Sequence, residues 1–193
     1  TFEDLPQYAS NNGCDVIRVP VNRQLAIDLE SIASAIRSDT KLVYICNPNN
    51  PIPTIVEKDA LRDFVLEVSR DRMVFVDEAY HEFVDNPSYS SMMDLVREGH
   101  RNIIVARTAS KIHGLAGLRV GFGFSHPDLA VEINRRMTGT LNIVGMRAAL
   151  ASYRDTEHAA HVLSTNKEAL DITQGFLREA GIRHIDSNAN FTF

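Results

Sequence analysis

The 193-residue chain contains no tryptophan, only two cysteines, and no apolar run near the ~18–20 residues that a membrane span requires. Cys14 and Cys46 show no metal-ligand spacing, which excludes a disulfide scaffold and a zinc site of the finger type. Each lies in an apolar, strand-like segment, and both are expected to be buried free thiols of the kind a reducing cytoplasm maintains. Basic residues do not cluster. The 20 Lys and Arg are scattered and outweighed by 25 Asp and Glu, giving a net charge of −5, so there is no footprint for a nucleic-acid backbone. No signal-peptide pattern opens the chain. What is present, 44% hydrophobic and 23% charged residues, is the composition of a soluble globular protein. Both ends read as truncated: Thr1 is not an initiator methionine, and 189–193 (ANFTF) alternates like a strand cut off in mid-course.

Short amphipathic and β-rich segments alternate along the first two-thirds. Phe2 to Ala9 is amphipathic and ends at Asn11-Asn12-Gly13, and 15–20 (DVIRVP) reads as a strand. Apolar residues recur at helical spacing over 28–36, and 41–46 (KLVYIC) reads as a buried strand before the turn-forming 47–51 (NPNNP). Thr54-Ile55-Val56-Glu57 has the form of a capping box opening a helix through Val68. A strand over 73–76, a helix over 91–98, and strands at 103–105 and 120–124 follow. This alternation predicts βαβ units and a mainly parallel sheet covered by helices. Beyond Pro127 the chain turns helical, through Met137, over 146–153 and over about 156–180, and Gly181 should end the last helix before a new strand system. The reading divides the chain into 1–150, a large α/β domain, and 151–193, a linking helix and the start of a small α+β domain.

In open α/β sheets ligands bind outside the carboxyl ends of the strands. Three polar clusters fall at that edge: Asn50 after one strand, Asp77 and Tyr80 after the next, and Ser110 and Lys111 after a third. A carboxylate ending a buried strand is costly unless a cation or hydrogen-bond donors meet it. Taken alone, Asp77 reads as a cap or structural ion pair, and an isolated Lys111 as a snorkelling surface lysine. The small, hydroxylated and glycine neighbours in 107–121 (RTASKIHGLAGLRVG) shift the balance, because they leave room for a bulky partner at the amine.

Other signals carry less. The glycines at 114, 117, 121 and 123 do not form a dinucleotide fingerprint, and the lysine precedes them, the reverse of a P-loop. His158 and His161 are three apart with Glu157 outside, unlike the zinc-protease helix. They are expected to be solvated. His81 and His113 are expected to pack behind the site rather than act in it.

Together, 47–51 (NPNNP), 77–80 (DEAY), and Ser110-Lys111 followed by 115–121 (LAGLRVG) resemble the pyridoxal-phosphate-dependent class I/II aminotransferases, and the wording around Lys111 is most similar to the histidinol-phosphate aminotransferase branch. The resemblance covers nearly the whole chain as an internal fragment. It implies the fold type I large domain of PLP-dependent transferases, pyridoxal 5'-phosphate as cofactor, amino acid or amine and 2-oxo acid substrates, a cytoplasmic location and a homodimer when full length. It implies that Lys111 bonds covalently to the cofactor aldehyde and is the catalytic residue, and that Asp77 pairs with the pyridine nitrogen. Asn50 and Tyr80 would donate to the phenolic oxygen, while Ser110, Arg119 and Thr108 would hold the phosphate. One departure stands out: the family usually continues Asn-Pro with Thr-Gly, where this chain has Ile52-Pro53. A decarboxylase of the same fold, similar to the threonine-phosphate decarboxylases, and an inactive cofactor-binding fragment are the alternative readings.

Overall fold

The computed structural model describes residues 2–193. Four strands form one sheet in the order β1-β2-β3-β4: β1 (Leu42–Cys46), β2 (Met73–Asp77) and β3 (Ile103–Thr108) are parallel, and β4 (Gly121–Ser125) closes the row antiparallel to β3. Between the parallel strands run α3 (Lys58–Val68) and α4 (Met93–Arg97). The helix α3 forms because Leu61, Val65 and Val68 fall on one face, all three buried, with the polar residues opposite. Its face packs with Val43, Ile45, Val74, Val76, Leu95, Ile103 and Val105 into the main core. Burying side chains of this size stabilises the fold by about 1.5–3 kcal/mol each. The helix α2 (Leu29–Ala35), capped by Asp28 accepting from the Ser31 amide, adds Leu29 and Ile32 to the rim of that core.

Because β4 runs back beside β3, the segment between them, residues 109–120, is a loop at the carboxyl edge of the sheet. A smaller core of Ala109, Val120 and Ala149, flanked by Leu115, Leu118 and Phe122, fixes it. Ala149 comes from α6 (Ile143–Arg154), which follows α5 (Pro127–Asn134) and leads into the 24-residue α7 (Thr156–Glu179). Among the described residues no helix is long and apolar enough to cross a membrane.

Four local readings are corrected. Residues 15–20 and 189–193 form no strand, because no other described segment offers either one a ladder, and the same holds for the whole stretch beyond Gly181. Apolar alternation makes a strand only where a partner satisfies its backbone. Thr54 is not a helix cap: its hydroxyl lies 3.3 Å from the Leu25 carbonyl, and the Val56 amide is committed to Asn47 Oδ1 at 3.0 Å. The helix begins three residues later, where Glu57 itself caps, accepting from the amides of Asp59 and Ala60 at 2.9 and 3.0 Å. Cys14, finally, is exposed, since the unpaired segment around it has no covering layer; Cys46 is buried as expected.

Candidate active site

The parallel register brings the three polar clusters to one edge. Cys46 pairs with Asp77 and Asp77 with Ala106, so the loops after β1, β2 and β3 leave the sheet side by side. The loop after β1 is held from within: Asn47 Oδ1 takes the Val56 amide, and the Asn49 amide donates to the Thr54 carbonyl at 3.0 Å. Asn50 is thereby aimed across at the next loop, where its Nδ2 donates to the Tyr80 hydroxyl at 2.9 Å. Tyr80 is buried, with the Phe191 ring edge-on at 5.2 Å. Lys111 Nζ stands over the Tyr80 ring, 4.9 Å from its centroid.

Asp77 ends β2 with its carboxylate largely out of water. Tyr44 donates to Oδ2 at 3.1 Å and the Ala79 amide to Oδ1 at 3.1 Å. Burial pushes its pKa above the ordinary carboxylate value, opposed by those two hydrogen bonds and by the charge of Lys111. Lys111 is thus close enough to be felt, yet among the described residues its amine makes no ion pair or hydrogen bond. The site holds a carboxylate that no cation contacts and an amine that no acceptor contacts. A group with a cationic ring nitrogen and an aldehyde fits both.

Beside Lys111, the Ser110 amide donates to Thr108 Oγ1 at 3.0 Å, and the two hydroxyl oxygens lie 2.9 Å apart. Thr108 Oγ1 also lies 3.4 Å from the Val120 carbonyl, which joins the start of the loop to its end. Arg119 adopts a left-handed conformation at φ 53°, and its exposed guanidinium donates to the Ala116 carbonyl at 2.9 Å. The structure therefore brings Asn50, Tyr80 and Lys111 into contact and places Asp77 alongside. Thr108 and Ser110 form a second pair, and Arg119, nine positions after Ser110 at the far end of the same loop, hydrogen-bonds to neither among the described residues. The backbone approaches closely at Gly121, where a Cβ would lie 3.3 Å from the Arg107 carbonyl, but at Gly114 and Gly117 a Cβ would meet open space.

His113 behaves as a packing residue, tilted against Tyr153 with ring centroids 3.9 Å apart, and its burial lowers its pKa; His158 and His161 are exposed. An apolar groove of about 700 Å³ opens between β4 and α6, lined by Phe122, Phe124, Ile143 and Leu150 among others, but none of Asn50, Asp77, Tyr80 or Lys111 lines it. Reading the sequence missed Tyr44, Phe191 and the pair formed by half-buried Arg107 with buried Glu78. Tyr44 could have been found from the register, since it stands two residues before the partner of Asp77 on the same strand face. The substituted Ile52-Pro53 turn has its own anchor, for the Pro53 carbonyl accepts from both the backbone amide and Nδ2 of Asn188, at 3.0 and 3.2 Å.

Comparison with known proteins agrees with this geometry. The sequence model of the family "Aminotransferase class I and II" matches residues 1–193. The histidinol-phosphate aminotransferase of Moorella thermoacetica is 38% identical over 194 positions, covering 100% of this chain and 50% of the relative. Among solved structures, a provisionally named histidinol-phosphate aminotransferase from Erwinia carotovora atroseptica superposes with a TM-score of 0.94 at 33% identity, covering 100% of this chain and 56% of that one. The histidinol-phosphate aminotransferase of Sinorhizobium meliloti, solved in complex with pyridoxal-5'-phosphate, gives 0.90 at 25% identity, covering 99% and 52%. The chain spans about half the length of the relatives it matches. The sheet with its carboxyl-edge loops is the large-domain architecture of fold type I. On these grounds the chain belongs to the class I and II aminotransferases, a family of pyridoxal-phosphate-dependent transaminases.

Proposed function

We propose that the full-length protein transfers an amino group between an amino acid or amine and a 2-oxo acid, with histidinol phosphate as the amino donor. The carrying observation is the juxtaposition at adjacent strand ends of Lys111, an amine without a counterion, and Asp77, a buried carboxylate without a contacting cation. The names of the relatives support the choice of donor. Residues 1–150 form the cofactor-binding domain in this reading, and 151–193 lead into a smaller one.

When bound, pyridoxal phosphate supplies an electron sink for the pair released at the substrate Cα. Asp77 would accept the pyridine N–H and help keep that nitrogen protonated, which a buried carboxylate does more strongly than a solvated one. Asn50 donates to the Tyr80 oxygen, so the Tyr80 proton stays available for the ring's phenolic oxygen. Thr108 and Ser110 offer hydroxyls to the phosphate, and Arg119 a planar fork that a lysine could not reproduce. Lys111 would hold the cofactor through Nζ, and the same amine, once freed, would take the proton from the substrate Cα as general base.

The test is an amino-donor screen on the full-length protein loaded with pyridoxal phosphate, following formation of the new amino acid from a 2-oxo acid. Turnover with histidinol phosphate is the expected result. Release of carbon dioxide without amino transfer would assign a decarboxylase instead.

A further inference from the structure

Glu78 is 1% exposed, and every oxygen of its carboxylate is engaged. Its Oε1 accepts from the Met92 amide at 2.7 Å. Its Oε2 accepts from Arg107 Nε at 3.2 Å, from Arg107 Nη2 at 3.0 Å and from the Ser91 hydroxyl at 2.6 Å. Arg107 Nη2 also donates to Ser91 Oγ at 2.9 Å. Three chain segments meet there: the loop after β2, the end of β3, and the approach to α4. Glu78 follows Asp77 directly and Arg107 precedes Lys111 by four positions. Asp77 pairs with Ala106, and side chains alternate along a strand, so Glu78 and Arg107 lie behind the sheet edge, on the face opposite Asp77. The backbone adds a further tie, the Glu78 amide donating to the Ala106 carbonyl at 2.9 Å.

We propose that the Arg107–Glu78 pair is a positioning device that sets the Asp77 carboxylate against the Lys111 amine. The inference rests on the functional reading above. Asp77 and Lys111 share no direct contact that could fix their separation: Asp77 is the last residue of β2, and Lys111 sits on the loop beyond β3. Beyond the backbone ladder, this pair is the side-chain tie between those segments, in which a planar guanidinium engages one carboxylate oxygen and one hydroxyl at once, a geometry an ammonium cannot reproduce. A buried ion pair is in itself weak evidence for stability, since well-packed apolar residues of similar volume often serve as well. That property separates the two roles: replacing both partners by apolar side chains spares the fold but removes the directional tie.

The experiment compares four full-length holoenzymes: wild type, Arg107→Lys, Arg107→Met, and the double variant Arg107→Met with Glu78→Leu. Folding stability is read from the urea midpoint, cofactor setting from the pH midpoint of the bound cofactor's visible band, and catalysis from kcat/KM. In the double variant the urea midpoint should recover most of what Arg107→Met loses. The visible-band midpoint should stay displaced, and kcat/KM should remain on the order of 100-fold down, as small misplacements of reacting groups can cost. Arg107→Lys should fold with the displaced midpoint too. A wild-type band with an unmoved midpoint in the double variant and in Arg107→Lys would overturn the positioning role and leave a stabilising pair. Absence of any covalently linked band in wild type would overturn the functional reading itself.

Discussion

The Tyr44 hydroxyl lies 3.1 Å from Asp77 Oδ2, reaching diagonally across two adjacent parallel strands whose register pairs Cys46 with Asp77. It is one of two donors on that carboxylate, the other being the Ala79 amide. Tyr44 thus helps fix the orientation of the buried carboxylate.

Tyr44→Phe should keep the fold, because its ring packs edge-on against Phe75 at 5.7 Å without help from the hydroxyl. Hydrogen bonds to charged groups contribute roughly 1.5–3 kcal/mol, so kcat of the full-length enzyme should fall about 10–100-fold with little change in melting temperature. Steady-state kinetics beside a thermal melt decides it, and an unchanged kcat would show that Asp77 needs no such support.

Asp77→Asn should have opposite effects with and without cofactor. Burial raises the folded-state pKa of Asp77 above its unfolded value. In cofactor-free protein its contribution to stability is therefore complete below the unfolded pKa, with the carboxyl protonated, and is lost as pH rises through the folded pKa. The amide mimics the protonated form and escapes that loss. Cofactor-free Asp77→Asn should melt higher than wild type at neutral pH, the margin narrowing toward about pH 4, where even unfolded Asp protonates. With cofactor bound, the order should reverse and turnover should collapse. A cofactor-free variant that melts lower at neutral pH would contradict the burial argument.

Arg119→Ala should weaken cofactor affinity about 10–100-fold, the loss of one charge-assisted contact, and Arg119→Lys should recover only part of it. The guanidinium is exposed and, among the described residues, bonds to its own loop at Ala116, so folding stability should move little. Cofactor titration of both variants tests this, and wild-type affinity in Arg119→Ala would remove the residue from the phosphate site.

The parallel core and the edge cluster were legible because their signals are local. Strand runs such as Val74-Phe75-Val76 end in polar residues, and the covering helix carries apolar residues at the spacing of Leu61, Val65 and Val68. The segments that misled were those whose structure depends on distant partners. Residues 15–20 have strand composition but no neighbouring strand, and Thr54 has cap chemistry but an amide nearby already committed to Asn47. Within the site, Asn50 and Tyr80, read from the ends of separate strands, are joined by a hydrogen bond across 30 positions. Tyr44 went unread because a tyrosine inside Val43-Tyr44-Ile45 looks like core until the register shows what faces it. Glu78 and Arg107 were hidden similarly, since each is a charged residue whose counterpart lies 29 positions away.

The most direct test of the whole account is borohydride reduction of the full-length protein with pyridoxal phosphate, followed by digestion and mass spectrometry. Lys111 should carry the reduced pyridoxyl group, and Lys111→Ala should carry none, because no other residue offers a primary amine over the Tyr80 ring. A reduced adduct on a peptide without residue 111, or an adduct that survives Lys111→Ala, would contradict the assignment of this sheet edge as the cofactor site.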